Sequence, residues 1–180
     1  MKMTITEALA EVKTIGARLQ AKRAAIKQYI GRPDGLRDPL EKEGGSVALI
    51  QRETQAIGDL NQRLIDLRVA IIRVNDQTSV TIGGATRTIA QWLAWKRDVA
   101  PGEQAYWGEI TQTLKAIRDQ ARTRGANVVA PGAAQTPQDV IVNIDETSVL
   151  KAVENLRQTL GELDGKLSLV NATTTIEIPD

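Results

Sequence analysis

A chain of 180 residues with 23 lysines and arginines against 22 aspartates and glutamates carries a formal net charge of +1, so no global field draws it to nucleic acid, membrane or acidic substrates. Histidine and cysteine are both absent, which excludes disulfides, thiolate nucleophiles, zinc sites of the usual Cys/His kinds and the commonest general base near neutral pH. The length suits one domain with its own core, or one elongated domain that completes its core in an oligomer, and we read 1–180 as a single helical domain.

The opening MKMTITEALAEV has no uninterrupted apolar run and no small-residue cleavage site, so it does not read as a secretory signal. No later stretch approaches the roughly 20 apolar residues of a membrane span. Together these predict a cytoplasmic or virion protein. Asn171-Ala-Thr173 matches a glycosylation acceptor without the secretory context that gives it meaning.

Taken in chain order, Ile5, Leu9, Val12, Gly16, Leu19, Arg23, Ile26 and Ile30 alternate four and three apart, which predicts a helix with a narrow seam interrupted at Gly16 and Arg23. Thr4 with Glu7 makes a capping box, and Gly31 with Pro33 ends the element. Residues 31–45, GRPDGLRDPLEKEGG, form a connector longer than is usual between helices, either a docking loop or mobile. From about Ser46 to Val74 a second helix sets Ile50, Ile57, Leu64 and Ile71 on one seam position and Glu53, Leu60, Leu67 and Val74 on the other. At ~1.5 Å per residue it is roughly 40 Å long, so the two helices can lie antiparallel as a hairpin.

The period then changes to two. Thr78, Val80 and Ile82, the pair Gly83-Gly84 and the return through Thr88 predict a β-hairpin over 76–88. Thr88 caps a helix carrying Ile89, Trp92, Leu93 and Trp95, and Pro101 falls where a new helix can begin. Tyr106, Ile110, Leu114, Ile117 and Ala121 supply that helix with an apolar stripe, closed by Gly125. Residues 125–139 are rich in Ala, Gly and Pro and read as a linker or arm. Val140–Val142 is a short strand candidate. Asp145 caps the last helix, whose seam runs through Val149, Val153, Leu156, Leu160, Leu163, Leu167 and Val170. The chain finishes with TTTIEI, Thr173 to Ile178, bounded by Pro179. The two short runs are expected to pair with each other or to extend the hairpin, across a subunit boundary if need be. The predicted class is mainly α: an antiparallel bundle of long helices, a coiled-coil-like hairpin plus further helices, with a small β-hairpin and a short C-terminal strand.

The run LRVAIIRVNDQTSVTIGGATRTIAQWLAWKRDV from Leu67 to Val99, the close LGELDGKLSLVNATTTIEI from Leu160 to Ile178, and the opening ITEALAEV together resemble the septicolysin-like family of small helical proteins. Asn75 and Thr78 after the second helix, and Asn171 and Thr174 after the last, carry the resemblance most specifically. It implies a mostly α-helical, oligomer-forming protein and brings no reaction, cofactor or catalytic residue with it. The Pro/Gly-rich connector and the Ala/Pro-rich arm depart from the family pattern.

Two groups of residues are candidate interface or ligand-binding sites. Trp92, Trp95, Tyr106 and Trp107 crowd around Pro101, as a local core knot, an interface anchor or a stacking platform. Lys13, Arg18, Lys22, Arg23, Lys27 and Arg32 run along the first helix and its exit without an intervening acid. Of these, Arg18, Lys22, Arg23 and Arg32 are the candidates for a phosphate or other small anion where subunits meet. The same stripe also fits a solvated face near a helix C-terminus, paired with Glu41, Glu43 or Glu53. Arg118, Arg122 and Arg124 close a helix in the same way. The pairs Asp145/Glu146 and Glu162/Asp164 sit where helix physics already explains them, and Gly83-Gly84 lacks the Lys-Ser/Thr of a phosphate loop. We therefore assign no catalytic residue, no metal site and no cofactor. The expectation is a non-catalytic structural or interaction protein that forms homo-oligomers, such as a virion or phage-encoded accessory component, with another structural protein as a further partner. The alternative is an oligomeric protein that sequesters a small anionic ligand such as a nucleotide.

Overall fold

The computed structural model describes residues 1–133 and 136–178. In chain order the elements are β1 (Lys2–Thr4), α1 (Ile5–Tyr29), a 3-10 turn (Glu41–Glu43), α2 (Gly45–Gln77), β2 (Ser79–Ile82), β3 (Ala85–Thr88), α3 (Ile89–Ala94), a π-helical turn (Trp95–Val99), α4 (Ala100–Thr123), β4 (Val128–Val129), β5 (Val140–Ile141), α5 (Glu146–Thr173) and β6 (Thr175–Glu177). The fold is mainly α with small β elements, as the sequence predicts. The packing gathers into two compact units: Met1–Gln77 with the segment from Ser168 onward, and Thr78–Leu167.

In the first unit, α1 starts at the predicted capping box: Thr4 Oγ1 accepts from the Glu7 N–H at 3.2 Å, and the Glu7 carboxylate accepts from the Thr4 N–H at 2.7 Å. Two ion pairs, Glu11–Arg63 and Lys22–Glu53, fix the direction of α2 against α1. As one residue number rises the other falls, so the helices are antiparallel. The α2 seam is the predicted one, with Ile57, Leu60, Leu64, Leu67, Ile71 and Val74 all in the core.

The α1 seam needs a correction. Ile5, Val12, Leu19 and Ile26 hold their places, but the alternate positions are Ala8, Ile15, Lys22 and Tyr29, one residue earlier than Leu9, Gly16, Arg23 and Ile30. Both sets satisfy the four-three rhythm. Burial favours the set with Ile15, because an isoleucine removes far more apolar surface from water than a glycine does. The corrected seam has one charged position, Lys22, and it meets Glu53, the one charged position of the α2 seam, at 2.7 Å. Two apparent defects are thus a single pair.

That pair makes stability depend on pH. The hydrogen bond from Lys22, with the nearby Lys22 and Arg52 charges, holds the Glu53 carboxyl below the usual glutamate range. A carboxylate depressed in the folded state contributes stability above its unfolded pKa and loses it as pH falls through the folded value. Glu53→Gln should therefore flatten the acid limb of a urea-midpoint-against-pH curve below about pH 4.5. Equal acid limbs for the two proteins would remove this role.

The connector is folded around Asp38. Its carboxylate accepts from the Ser46 N–H at 2.8 Å, the Ser46 hydroxyl at 2.7 Å and the Leu40 N–H at 2.9 Å, bonds that hold its pKa down and cap the start of α2. Of the two outcomes predicted for TTTIEI, neither occurs. β6 pairs antiparallel with β1, Met3 opposite Ile176, and Met3, Ile176 and Ile178 are buried in the α1–α2 core. The β-prone run does form a strand, Thr175–Glu177. Its partner, three residues long, is too short to announce itself by periodicity.

In the second unit, β2 and β3 form the predicted hairpin, with Ile82 opposite Ala85. Gly83 and Gly84 have φ of 55° and 81°, the left-handed values that a tight two-residue hairpin turn demands of both central residues. Thr88 caps α3 in a reciprocal box with Gln91. Pro101 stands in the first turn of α4, as expected, but no break separates that helix from α3. The Ala100 N–H reaches back five residues to the Trp95 carbonyl, and this wider turn carries α3 into α4. Proline lacks an N–H and crowds the carbonyl four residues before it, so a local widening is the economical way to keep the helix going.

The α4 stripe is corrected at one place: Trp107 joins Ile110, Leu114 and Ile117 in the core, while Tyr106 is 56% exposed. Asp145 caps α5 as predicted, accepting from the Thr147 and Ser148 N–H groups. Val149, Leu156 and Leu163 are buried on the predicted α5 seam. The 125–139 arm is not merely a linker, because β4 pairs in parallel with β5. Residues 134 and 135 of that arm, and Pro179 after the last strand, lie outside the described residues.

Candidate functional site

The basic candidates do not converge. Arg18 and Arg23 are exposed on α1, Lys22 is held by Glu53, and Arg32 donates to the Leu36 carbonyl within the connector. The pairing of the stripe with Glu53 accounts for Lys22 alone. Arg118, near the end of α4, is paired with Glu146. Of the remaining carboxylates, Asp164 pairs with Lys96 and Glu162 accepts from the Gly83 N–H at 3.3 Å.

Three of the four aromatic candidates do come together. Trp92 is 3% exposed and packs with Ile82 and Leu163, its indole N–H donating to the Val80 carbonyl at 3.1 Å. That bond satisfies the polar tip of a ring whose body is core. Trp95 meets Trp92 edge to face, 5.6 Å between centroids and 86° between planes. The offset of three, from α3 into the π-helical turn, places both rings on one side. Trp107, half-buried, packs edge to face on Tyr106 at 4.9 Å.

Trp92, Trp95 and Trp107 line one open groove of about 310 Å³, together with Arg87, Glu103, Asn155, Leu156 and Thr159. Arg87 lies with its guanidinium 4.8 Å from the Trp92 ring centroid, a cation–π contact. Sequence reading misses Arg87, Glu103 and Asn155. They come from β3, the first turn of α4 and the middle of α5, and nothing in their linear neighbourhoods connects them. The available signal was local: Arg87 lies immediately before the Thr88 cap of the Trp92 helix. None of Arg18, Lys22, Arg23 and Arg32 lines this groove.

A second groove, about 470 Å³, runs between α4 and the β5 segment and is walled by Tyr106, Ile110, Ile117, Ile141 and Ile144. Glu109, Thr113 and Asn143 add polar groups to a mostly apolar lining. Among the described residues no three acidic, histidine or cysteine side chains gather as a metal site, and no helix is long and apolar enough to cross a membrane.

On α2, away from the seam, Ile65, Val69 and Ile72 are 54%, 48% and 64% exposed. Spacings of four and three put them in one stripe along the helix. At the last turn of α2, Asn75 has a buried Oδ1 without a hydrogen-bond partner among the described residues.

No protein-family model matches the chain, and no curated protein matches it. Among solved structures, the chain is similar to a functionally unknown conserved protein from Corynebacterium diphtheriae, with 16% sequence identity and a TM-score of 0.59 over 98% of this chain and 100% of that one. What the two share is therefore the fold.

Proposed function

We propose that this protein is a non-catalytic interaction protein that self-associates through the outward face of α2 and serves as a building component of a homomeric assembly. A virion or phage-encoded accessory structure is one such setting. The observation that supports the reading is the stripe of Ile65, Val69 and Ile72, three branched apolar side chains about half exposed or more. Scattered exposed hydrophobics are ordinary in soluble proteins, but a row at helical spacing is a contact surface in search of a partner.

A second copy of the same helix suits it. In an antiparallel, two-fold pairing centred near Val69, Ile65 of one copy lies over Ile72 of the other, and Asp66 of one lies near Arg73 of the other, twice by symmetry. The resemblance to septicolysin-like proteins, which implies an oligomer, agrees with this.

Val69→Glu places two like charges at the centre of that pairing. The variant should run as a monomer of 19.6 kDa in size-exclusion chromatography with light scattering, while the wild type runs as a multiple of it. Because Val69 is 48% exposed, the melting temperature of the dilute variant should stay within a few degrees of the dilute wild type. A variant with the wild-type mass would remove α2 from the interface.

A further inference from the structure

We propose that the tryptophan groove of the second unit is a binding site for a small zwitterion, one that carries a carboxylate and an alkylated ammonium group.

Arg87, exposed on β3, sets its guanidinium over the Trp92 ring, 4.8 Å from the centroid, and among the described residues no carboxylate or carbonyl accepts its hydrogen bonds. A guanidinium fixed on an aromatic face presents its N–H donors in a plane, the arrangement that matches a carboxylate by two parallel bonds. Glu103 lines the same groove, is half-buried and has no cation or donor bound to it among the described residues. Its place in the first turn of α4 suits the helix dipole, which explains the residue type at that position but does not use its oxygens as acceptors.

The two charges cancel, so the groove is poorly suited to a purely anionic ligand such as a nucleotide. It is suited to a molecule that is itself neutral overall and carries both signs. The rings decide the nature of the positive end. Trp95 and Trp107 line the groove and are both half-buried, and the negative face of an indole attracts a weakly hydrated cation. Arg87 on Trp92 shows that attraction already at work in this groove. Two tryptophans with a carboxylate are the elements of an aromatic cage, which favours methylated ammonium because its hydration is cheap to give up. A volume of about 310 Å³ is at the low end for ligand sites and holds about ten water molecules. An amino acid or one of its methylated relatives fits that space.

Glycine betaine is the direct probe, with tetramethylammonium chloride, sodium acetate and AMP as its parts and its rival. Tryptophan emission of the full chain should respond saturably to glycine betaine, with at least tenfold weaker binding of tetramethylammonium, acetate and AMP. Arg87→Gln should erase the preference for betaine over tetramethylammonium. Glu103→Gln should weaken betaine about tenfold, and both variants should keep the wild-type melting temperature within a few degrees. If betaine gives no saturable response at up to 100 mM, if AMP binds more tightly than betaine, or if Arg87→Gln leaves the preference intact, the proposal is overturned. Because the groove and the α2 stripe share no residue, this outcome is independent of the mass measurement on Val69→Glu.

Discussion

Replacing Leu67 by alanine is expected to destabilise the first unit by about 2–5 kcal/mol, the largest single effect in the α1–α2 hairpin. Leu67 is wholly buried, 0% exposed, and sits among Ile71, Leu64, Ile5 and Ile176, so that the helices and the β1–β6 pair all contribute to one core. Removing three carbons there loses transfer free energy and leaves a cavity that a helix bracketed on both sides cannot close. The check is chemical denaturation combined with hydrogen exchange. Amides of α1 and α2 should lose protection, and the urea midpoint should fall. Ile72→Ala, on the exposed stripe of the same helix, should cost well under 1 kcal/mol in the monomer. Equal losses for the two would mean that the α2 seam is misplaced.

Trp92→Ala should cost about 3–5 kcal/mol in the second unit. The indole fills the space between the hairpin and α5, against Ile82 and Leu163, donates to the Val80 carbonyl and supports both Trp95 and Arg87. Losing it opens a void and leaves the Val80 carbonyl without its indole donor. Trp92→Phe separates the effects: it keeps most of the apolar volume, loses the N–H donor, and should fall between wild type and alanine in a thermal melt. If the phenylalanine variant were as unstable as the alanine variant, the hydrogen bond rather than the packing would dominate.

Much of this architecture could be read from the residues, and the places where reading failed share a cause. Period and caps are local, so Thr4–Glu7, Thr88, Gly83-Gly84, Asp145 and the α2 and α5 seams were all visible in short windows. The α1 seam was ambiguous because Leu9 and Ala8, Gly16 and Ile15, Arg23 and Lys22 each fit the same rhythm. Only the partner decides, and the partner is Glu53, 31 residues from Lys22. The same limit hid β1, whose evidence is the pairing of Met3 with Ile176 across nearly the whole chain. Strands of two or three residues have no pattern of their own.

The candidate site divides in the same way. Trp92, Trp95 and Trp107 were legible as a cluster because they lie within sixteen residues of sequence on one helical stretch. Tyr106 was placed with them and instead faces outward, since the seam takes the larger ring next to it. Arg87, Glu103 and Asn155 reach the groove through tertiary packing alone. The basic stripe on α1 was conspicuous in the sequence precisely because it is continuous there, yet a continuous row on a helix spreads around its surface instead of converging on a point.

Self-association is the claim on which the functional account depends most, and sedimentation equilibrium of the wild-type chain over a range of concentrations addresses it directly. The account predicts a mass that rises with concentration to an even multiple of 19.6 kDa. A mass of one chain, unchanged up to about 100 μM, would contradict it, since so weak a pairing, with Kd above that concentration, is no basis for an assembly.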